Sequence, residues 1–333
     1  MTTPPAKPDL APLLAQFGAE PRGEPSLVGG SILNWNYRVP TSRGELFVRA
    51  HRPARAQDDI ADEHALLRWL EARGAPVVTP IEASGGETIV AQHGWLWAVF
   101  PFVAGRAPRR GAITRDEAFA LGAALGQLHA LLADYPGPAP TARPRMTWDR
   151  DASLALLDRC AEAAAASGAP EWIRDGIALQ ASMLAAADVM PPSVLDGVPH
   201  QLCHGDYHDQ QVIFGPGNAV AAVTDWELYR PLPPAWEIVR AAQFSQLLDS
   251  PGLAPFVAGY RTHRTLDQRD CRMLLELWWQ SRVVGVWVWA AYFLEGNTRV
   301  SEFFEGTVAE LHRLQDPDYR RTIMHRFLHA AVG

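Results

Sequence analysis

The segment from His204 to Glu227 constrains the fold of this 333-residue chain more than any other. A polar loop containing Asp206 leads into a short apolar run, and a turn at positions 215–218 separates that run from a second one, which ends on Asp225. Glycine and asparagine between apolar runs predict a β-hairpin. Because a hairpin brings its two outer ends together, Asp206 and Asp225 are expected to meet at one edge.

Two carboxylates and the side-chain amide of Gln211 in the same region predict a site for a divalent cation. Hard cations take oxygen ligands, and a cation that carries a polyphosphate would explain why the acids converge. The alternative is an aspartate-rich turn beside a buried hairpin. The agreement of loop, spacing and following strand favours the cation site.

The sequences His-Gly-Asp at 204–206 and Thr-Asp-Trp-Glu at 224–227, with an amide at Gln211, resemble those of the aminoglycoside phosphotransferase (choline kinase-like) family. The resemblance implies a protein-kinase-like fold that uses ATP and Mg²⁺, with Asp206 as the catalytic base. It also implies that Asp225 and Gln211 hold the metal. Position 211 departs from the pattern, which has asparagine there. Glutamine keeps the amide oxygen but adds a methylene, which would shift the geometry at the metal.

Composition excludes several other classes of protein. A net charge of −7 without a long basic run gives no support for nucleic-acid binding. The three cysteines are scattered, and no apolar leader opens the chain, so we expect a reducing, cytoplasmic location. The apolar stretch at 274–294 is interrupted by Glu276, Gln280 and Arg282, which predicts a buried helix and not a membrane span. The oligomeric state stays open.

The resemblance and the pattern of elements predict an α+β fold of two lobes, a small β-rich N-lobe and a larger, mainly helical C-lobe. Residues 1–19 are expected to form a tail and a short helix. Residues 20–103 would form the nucleotide-binding N-lobe, with a glycine turn at 29–30 that covers the phosphates or is simply a turn. Residues 104–333 would form the C-lobe with the catalytic loop and the acceptor site.

Arg49 follows apolar residues on a predicted strand, and a helix is predicted from Asp58 or Asp59 to about Gly74. Glu63 falls on the apolar face of that helix, and a buried acid needs a partner. We expect that partner to be Arg49. The pair resembles the lysine–glutamate pair of kinases, with arginine in place of lysine to hold the α- and β-phosphates. The alternative is a purely structural pair, or a glutamate at the edge of the face.

The segment at 101–103 follows two predicted strands, and by resemblance it is the hinge between the lobes. The backbone groups of Pro101, Phe102 and Val103 would there meet the edge of the adenine. A site made from backbone groups leaves little trace in a sequence.

The C-terminal part of the chain is predicted to be helical. Thr114 to Glu117 forms a capping box that opens a helix, on which Gly122 and Gly126 permit close helix packing. His129 and Glu237 are expected to be structural, Glu237 by bracing the catalytic loop as an acid of the family does. Further helices are predicted at 152–166, 171–189, 234–247, 251–264, 268–294, 299–315 and 318–331.

The predicted reaction is transfer of the ATP γ-phosphoryl group to a hydroxyl of a small metabolite or an aminoglycoside-like acceptor. An aminoglycoside would need converging acids after position 245, and seven are available: Asp249, Asp267, Asp270, Glu276, Glu295, Glu302 and Glu305. The tryptophans at 278, 279, 287 and 289 are expected in the core, although some could line the acceptor pocket and attract a cation. On the catalytic loop, we expect His208 to brace the loop and Asp209 either to face an amine or to be solvated.

Two alternatives remain. The departures at Arg49 and Gln211 are compatible with a nucleotide-binding pseudokinase that acts as a regulator or scaffold, although Asp206 and Asp225 are both intact. A protein serine/threonine kinase is disfavoured because no Ala-Pro-Glu segment follows Asp225, and Trp226-Glu227 stands where Phe-Gly would be.

Overall fold

The computed structural model describes residues 8–29, 34–138, 149–195 and 197–332. Two sequence predictions fall at least partly beyond these ranges: the tail, of which residues 1–7 are outside, and the glycine turn, of which Gly30 is outside.

The first part of the chain forms one antiparallel sheet with the strand order β1-β2-β3-β5-β4. Side chains alternate along β3, so Leu46 and Val48 are buried in the core of the lobe while Phe47 and Arg49 face a cavity on the other side. The strands are β1 (Ser26–Leu27), β2 (Trp35–Thr41), β3 (Gly44–His51), β4 (Val90–Gln92) and β5 (Trp95–Pro101).

A short helix, α1 (Ala11–Gln16), precedes the sheet as predicted. Leu13, Leu14 and Phe17 of this segment are almost completely buried and share a core with Tyr37 of β2. Helix α1 therefore stabilises the small lobe, and we propose to count it as part of that lobe.

Helix α2 (Gln57–Glu71) packs next to the sheet and buries Ile60, Glu63 and Leu67. Its N-cap is Ala56, which makes no side-chain cap, so the predicted aspartate cap is wrong. Asp58 and Asp59 lie in the first turn instead, where carboxylates still interact favourably with the helix dipole.

The second part of the chain is mainly helical. Its helices are α3 (Arg115–Leu132), α4 (Arg150–Ala166), α5 (Glu171–Ala186), α6 (Pro234–Phe244), α7 (Leu253–Arg261), α8 (Gln268–Val284), α9 (Trp287–Phe293), α10 (Phe304–Leu314) and α11 (Pro317–Val332). The capping box at Thr114 and Glu117 is formed as predicted.

Helices α3 and α7 pack closely through glycine. A Cβ atom on Gly122 would lie 1.8 Å from the carbonyl oxygen of Phe256, and one on Gly126 would lie 2.5 Å from that of Tyr260. On α7, a Cβ atom at Gly259 would likewise lie 2.0 Å from the carbonyl oxygen of Phe119. The prediction that these glycines permit close helix approach is confirmed.

The helix predicted at 268–294 is divided in two, because the chain leaves helical geometry at Gly285 and Val286. Gln180 of α5 donates hydrogen bonds to the carbonyl oxygens of Val283 (2.9 Å) and Gly285 (3.1 Å). A tertiary partner thus satisfies the carbonyls at the break, which a periodic apolar pattern cannot reveal. Among the helices of the described ranges, none combines the length and hydropathy of a membrane span.

The predicted hairpin is present between the helices: β7 (Val212–Phe214) pairs antiparallel with β8 (Val220–Val223). Beside it, β6 (Gln201–Cys203) pairs with β9 (Arg230–Leu232). The N–H of Val223 donates to the carbonyl oxygen of Pro76 at 2.6 Å, which ties the end of the hairpin to the segment after α2. The acidic end of the hairpin therefore lies where the two lobes meet.

Candidate active site

A cavity of about 1470 Å³ lies between the lobes. Strand β3, helix α2, the segment after β5, the catalytic loop, the hairpin and helix α6 all contribute to its wall. Every residue that the sequence predicted for the site lines it: Arg49, Glu63, Pro101, Phe102, Val103, Asp206, Gln211 and Asp225.

The loop at 204–211, which the sequence predicts to be the catalytic loop, is shaped by His204 and Gly205. The His204 ring lies 2.8 Å from the carbonyl oxygen of Thr224 through Nε2, and Nδ1 accepts the N–H of Asp206 at 3.2 Å. Burial lowers the pKa of His204, which favours the neutral ring that these contacts require. Gly205 has φ +85°, and a Cβ atom there would lie 1.9 Å from the Leu228 carbonyl oxygen, so glycine is needed at this position.

Glu237 of α6 lies fully buried beneath the loop. It accepts the N–H groups of His204 (3.0 Å) and Gly205, and its Oε2 lies 2.8 Å from Nε2 of His129. Burial favours the protonated acid, but these partners outweigh it and lower the pKa of Glu237. The other ring nitrogen of His129 lies 3.0 Å from the hydroxyl of Tyr260. Glu237 and His129 therefore support the loop from below and are far from solvent, in line with the structural roles expected for both.

Asp206 lies on the cavity wall and accepts a hydrogen bond from Arg240. Burial raises the pKa of its carboxyl, but the Arg240 guanidinium outweighs burial and the net pKa is lowered. Sequence analysis missed Arg240. Its position in the sequence could have indicated this role. Glu237, Arg240 and Phe244 are spaced so that they share one face of α6, and that face lies against the loop.

Asp225 has a different environment. Its backbone is left-handed, with φ 61° and ψ 57°. Burial raises the pKa of its carboxyl to about 6; Arg49 opposes this shift, while Glu227, Asp206 and Glu63 reinforce it. Oδ1 lies 3.3 Å from Nη1 of Arg49 but has no hydrogen-bond partner among the described residues. A carboxylate repelled by three others is suited to a divalent cation, which would relieve that repulsion.

Gln211 is fixed at the junction between loop and hairpin. Its carbonyl oxygen accepts the N–H (2.8 Å) and the hydroxyl (3.2 Å) of Thr224, the residue before Asp225. Its side-chain nitrogen lies 3.5 Å from Nε2 of His208. Gln211 and Asp225 both line the cavity, and an amide oxygen and a carboxylate are hard oxygen donors of the kind that Mg²⁺ takes.

The predicted pair of Arg49 with Glu63 is not formed. Glu63 pairs instead with Arg55, and both side chains are 2% exposed. Arg55 precedes α2 and folds back along the helix to its buried acid, so Glu63 is satisfied by a cation close to it in sequence. Arg49 donates to Asn36 at 3.1 Å and faces Asp225.

Glu227 extends the network around Glu63. Its Oε2 lies 3.8 Å from Nη1 of Arg55 and accepts a hydrogen bond from Asn34 at 3.0 Å. Arg55 thus joins an acid on the small-lobe helix to an acid just after the hairpin. These partners are separated by more than a hundred residues in the sequence, and periodicity gave no sign of them.

Within the predicted hinge at 101–103, one backbone N–H is available to the edge of a ligand. Pro101 has no N–H, and that of Phe102 donates to the Glu45 carbonyl oxygen at 3.1 Å. The remaining N–H of the predicted hinge belongs to Val103, which lines the cavity.

Asp209 is fully buried, so neither of its expected positions is correct. It accepts the N–H of Gly111 at 2.7 Å, and its own N–H donates to Ser245 Oγ at 2.9 Å. These bonds hold the loop at 109–111 against the catalytic loop and place Arg110 on the cavity wall. The ring of His208 stacks on Phe244 with centroids 5.8 Å apart, and it accepts the N–H of Gln210, in line with the expected bracing role.

The tryptophans at 278–289 divide between core and cavity. Trp289 is fully buried and donates to Gln180 Oε1 at 2.7 Å. Trp278 is buried but also lines the cavity, and Trp287 lies on the cavity wall with 45% of its surface exposed. The expected core position is therefore confirmed for Trp289, while Trp278 and Trp287 reach the cavity wall.

The model of the phosphotransferase enzyme family, APH, matches residues 26–274. The chain belongs to this family, which confirms the resemblance drawn from the motifs. The match includes the cavity residues of β3, α2, the catalytic loop and the hairpin.

Curated relatives include a homoserine kinase from Afipia carboxidovorans, 26% identical over 220 residues, which cover 66% of this chain and 59% of that protein. The chain thus spans less than two thirds of the length of this relative. A stress response kinase A from Salmonella choleraesuis is 36% identical over 88 residues, or 26% of each protein.

Solved structures with the same fold include a spectinomycin phosphotransferase in complex with ADP and spectinomycin. It has a TM-score of 0.62 and 14% identity, covering 96% of this chain and 98% of that one. A microcompartment-associated aminopropanol kinase has a TM-score of 0.61 and 19% identity, covering 94% and 98%. The predicted two-lobe, protein-kinase-like α+β fold is confirmed.

Proposed function

We propose that this protein transfers the γ-phosphoryl group of ATP to a hydroxyl of a small-molecule acceptor in the presence of Mg²⁺. The observation that carries the proposal is that Asp206 and Asp225 face one cavity with opposite pKa shifts. A carboxylate kept ionised suits a proton acceptor, and a carboxylate crowded by other acids suits a cation. The names of relatives, homoserine kinase and aminopropanol kinase, support a hydroxyl acceptor.

In the proposed step, an oxygen lone pair of the acceptor forms a bond to the γ-phosphorus. The bond between that phosphorus and the β–γ bridging oxygen breaks, and ADP leaves with the electron pair. Asp206 orients the acceptor hydroxyl and takes its proton. Such transfers depend mainly on positioning and charge stabilisation, so few protein groups are required.

The nucleotide would lie between β3 and the hairpin. Arg49 is the cation for the α- and β-phosphates, and the ion pair of Glu63 with Arg55 supports the wall beside it. We propose that the N–H of Val103 and the carbonyl of Pro101 meet the adenine edge, with Phe102 against the base. Asp225 and Gln211 would hold Mg²⁺, which when bound neutralises the phosphate charges.

Release of ADP tests the proposal when it is measured with Mg²⁺ and a panel of hydroxylated amines, amino acids, sugars and aminoglycosides. Turnover with one acceptor should fall by about 10³-fold in Asp206→Asn. The exposed Asp158→Asn on α4 is the matched control and should keep full turnover. Turnover that is equal in the two variants would contradict the role of Asp206.

The second candidate is a pseudokinase that binds nucleotide and acts as a regulator or scaffold. The contact of Arg49 with Asp225 favours it, because a guanidinium already occupies one side of the proposed metal ligand. This candidate predicts nucleotide binding with no transfer to any acceptor and no effect of Asp206→Asn. The absence of nucleotide binding would exclude both functions.

We further propose a reducing, cytoplasmic compartment, which the three buried cysteines support. We also propose a lobe boundary near Val103 and Ala104, which is supported by their position between the end of β5 at Pro101 and the start of α3 at Arg115.

A further inference from the structure

Three arginines surround the ring of Phe244 on the acceptor side of the cavity. Their guanidinium carbons lie 5.7 Å (Arg110), 4.3 Å (Arg240) and 5.4 Å (Arg282) from the ring centroid. All three line the cavity, and we call them the arginine wall. Cations gathered next to a proposed phosphoryl-transfer centre need partners, because a buried charge is costly.

Two members of the arginine wall are paired with acids. Glu310 neutralises Arg282 through bonds of 2.9 and 2.6 Å. Arg240 donates one nitrogen to Asp206, while its Nη1 is buried with no hydrogen-bond partner in the described part of the chain. Arg240 therefore has a donor to spare beside the proposed base.

Arg110 is held differently from the other two arginines of the wall. It donates a hydrogen bond to the neutral amide oxygen of Gln210 at 2.9 Å, and within the described ranges no carboxylate forms an ion pair with it. Burial lowers the pKa of Arg110, and so does Arg282, while the carboxylates of Asp209, Asp206 and Glu302 oppose that shift. A guanidinium remains charged at neutral pH despite such a shift, so this one can bind an anion.

Few of the acids that a polycationic acceptor would need reach the described part of this cavity. Of the six candidates after position 245 whose side chains the structure describes, Asp249 and Glu302 line the cavity, and so does Glu310, which pairs with Arg282. Asp249 and Glu302 are both exposed, and Asp249 lies 4.0 Å from Arg313. Next to Asp206 the arginine wall therefore presents guanidinium groups, where an aminoglycoside site would need unpaired acids.

We propose that the acceptor is a small hydroxylated carboxylate, whose carboxylate is bound by Arg110 and Nη1 of Arg240 while its hydroxyl meets Asp206. The inference rests on the proposed function and names its substrate class. Guanidinium groups bind carboxylates through paired hydrogen bonds, which fixes orientation as well as position. Arg240 contacts Asp206 with one nitrogen and offers a second nitrogen to the carboxylate of the acceptor. The acceptor should therefore have only a short carbon chain between its carboxylate and its reacting hydroxyl.

Matched acceptors test the substrate class: 4-hydroxybutyrate against its amide, homoserine against its amide, and 1-amino-2-propanol. We expect the carboxylates to have a kcat/KM at least about tenfold higher than the amides. Arg110→Gln should raise KM for the carboxylates about ten- to a hundredfold, with little change for the amides, kcat or the KM of ATP. Arg110→Lys should restore part of the affinity, and the exposed neighbour Arg109→Gln should behave like the wild type.

Equal losses for carboxylates and amides in Arg110→Gln would assign Arg110 to the transferred phosphoryl group and overturn the proposal. A preference for the amine or for aminoglycosides would also overturn it. Calorimetry with the same acceptors and the non-hydrolysable analogue AMP-PNP separates this inference from the proposed function. Carboxylate binding that is lost in Arg110→Gln supports the anion site even if no transfer occurs, whereas the absence of carboxylate binding overturns it whatever the turnover.

Discussion

Asp206 and Asp225 are the same residue type at opposite ends of one hairpin, yet their carboxyl groups are perturbed in opposite directions. Arg240 outweighs burial at Asp206 and lowers its pKa. At Asp225 burial dominates, three acids add to it, and the pKa rises to about 6 although Arg49 is 3.3 Å away. The difference arises in the residues around each carboxylate, which come from distant parts of the chain.

The two environments suit two different chemical roles of a carboxylate, proton acceptor and metal ligand. The base proposed at Asp206 must stay ionised before the acceptor arrives, and the neighbouring Arg240 favours the ionised form. A metal ligand gains most from its cation when its own surroundings leave its charge uncompensated. Substitutions that exchange or remove these surroundings should therefore affect the two ends of the hairpin differently.

The largest expected effect comes from substituting each aspartate in turn. Asp206→Asn and Asp225→Asn should each lower kcat by about 10³-fold, the first by loss of the base and the second by loss of metal stabilisation. Asp225→Asn alone should require more Mg²⁺ for half-maximal nucleotide binding, as measured by calorimetry at several Mg²⁺ concentrations. The same Mg²⁺ dependence in both variants would remove the distinction between the two ends.

A third carboxylate tests how Asp206 is held in place. Glu237→Gln should lower the free energy of unfolding by about 3 kcal/mol, because it removes a buried, fully hydrogen-bonded charge. Since the pKa of Glu237 is lowered in the fold, its contribution is complete above the ordinary glutamate pKa and disappears as pH falls through the folded value. Urea unfolding at several pH values should therefore show a smaller loss of stability on acidification in the variant.

Glu162→Gln on the exposed face of α4 is the control for that measurement and should change stability by no more than about 0.5 kcal/mol. If acidification lowers the free energy of unfolding of Glu237→Gln by as much as that of the wild type, the buried Glu237 is not the source of the loss of stability at low pH.

A smaller effect is expected when the environment of Asp206 is made more like that of Asp225. Arg240→Gln removes the group that lowers the pKa of Asp206, so that pKa should rise. Activity that needs the carboxylate is present above its pKa, so the acid limb of the kcat/KM profile should move to higher pH. At its acid end, turnover should fall by about tenfold relative to the wild type. This loss adds to the pH-independent loss expected from the proposed contact of Arg240 with the acceptor, so the position of the limb is the readout. An unmoved limb would argue against Asp206 as the titrating base, and Arg159→Gln on α4 serves as the exposed control.

The smallest effect is expected at Gln211, where the chain departs from the family pattern. Gln211→Asn should change the Mg²⁺ concentration for half-maximal activity by less than about tenfold, since one methylene alters the reach of a single amide ligand. Its backbone bonds to Thr224 are kept, so stability should not change. Gln211→Ala removes the side-chain amide completely. If activity depends on Mg²⁺ concentration in the same way in the wild type and both variants, the amide is not part of the metal site.

Sequence reasoning located the hairpin and its two acids because the information is local. The loop, the turn at 215–218 and two apolar runs lie within a single short stretch, and each step follows from turn chemistry. The capping box and the close helix packing at Gly122 and Gly126 were predictable for the same reason.

The partners of these acids were not predictable in the same way. Glu63 was correctly expected to need a cation, but a sequence contains several arginines and only the folded chain selects Arg55 over Arg49. Arg240 and Arg110 reach the cavity from a helix and a loop whose positions depend on tertiary packing. Arg240 alone had a usable signal, its spacing from Glu237 on an amphipathic helix.

The left-handed backbone of Asp225 has a consequence for any attempt to improve this protein. Glycine adopts φ 61° and ψ 57° freely, whereas an aspartate there costs about 1 kcal/mol and adds charge repulsion from nearby acids. Directed evolution for heat resistance would therefore favour glycine at this position and yield a more stable chain that lacks the proposed metal ligand. Selection for growth that depends on turnover would retain the aspartate. The two selections should therefore yield different residues at position 225.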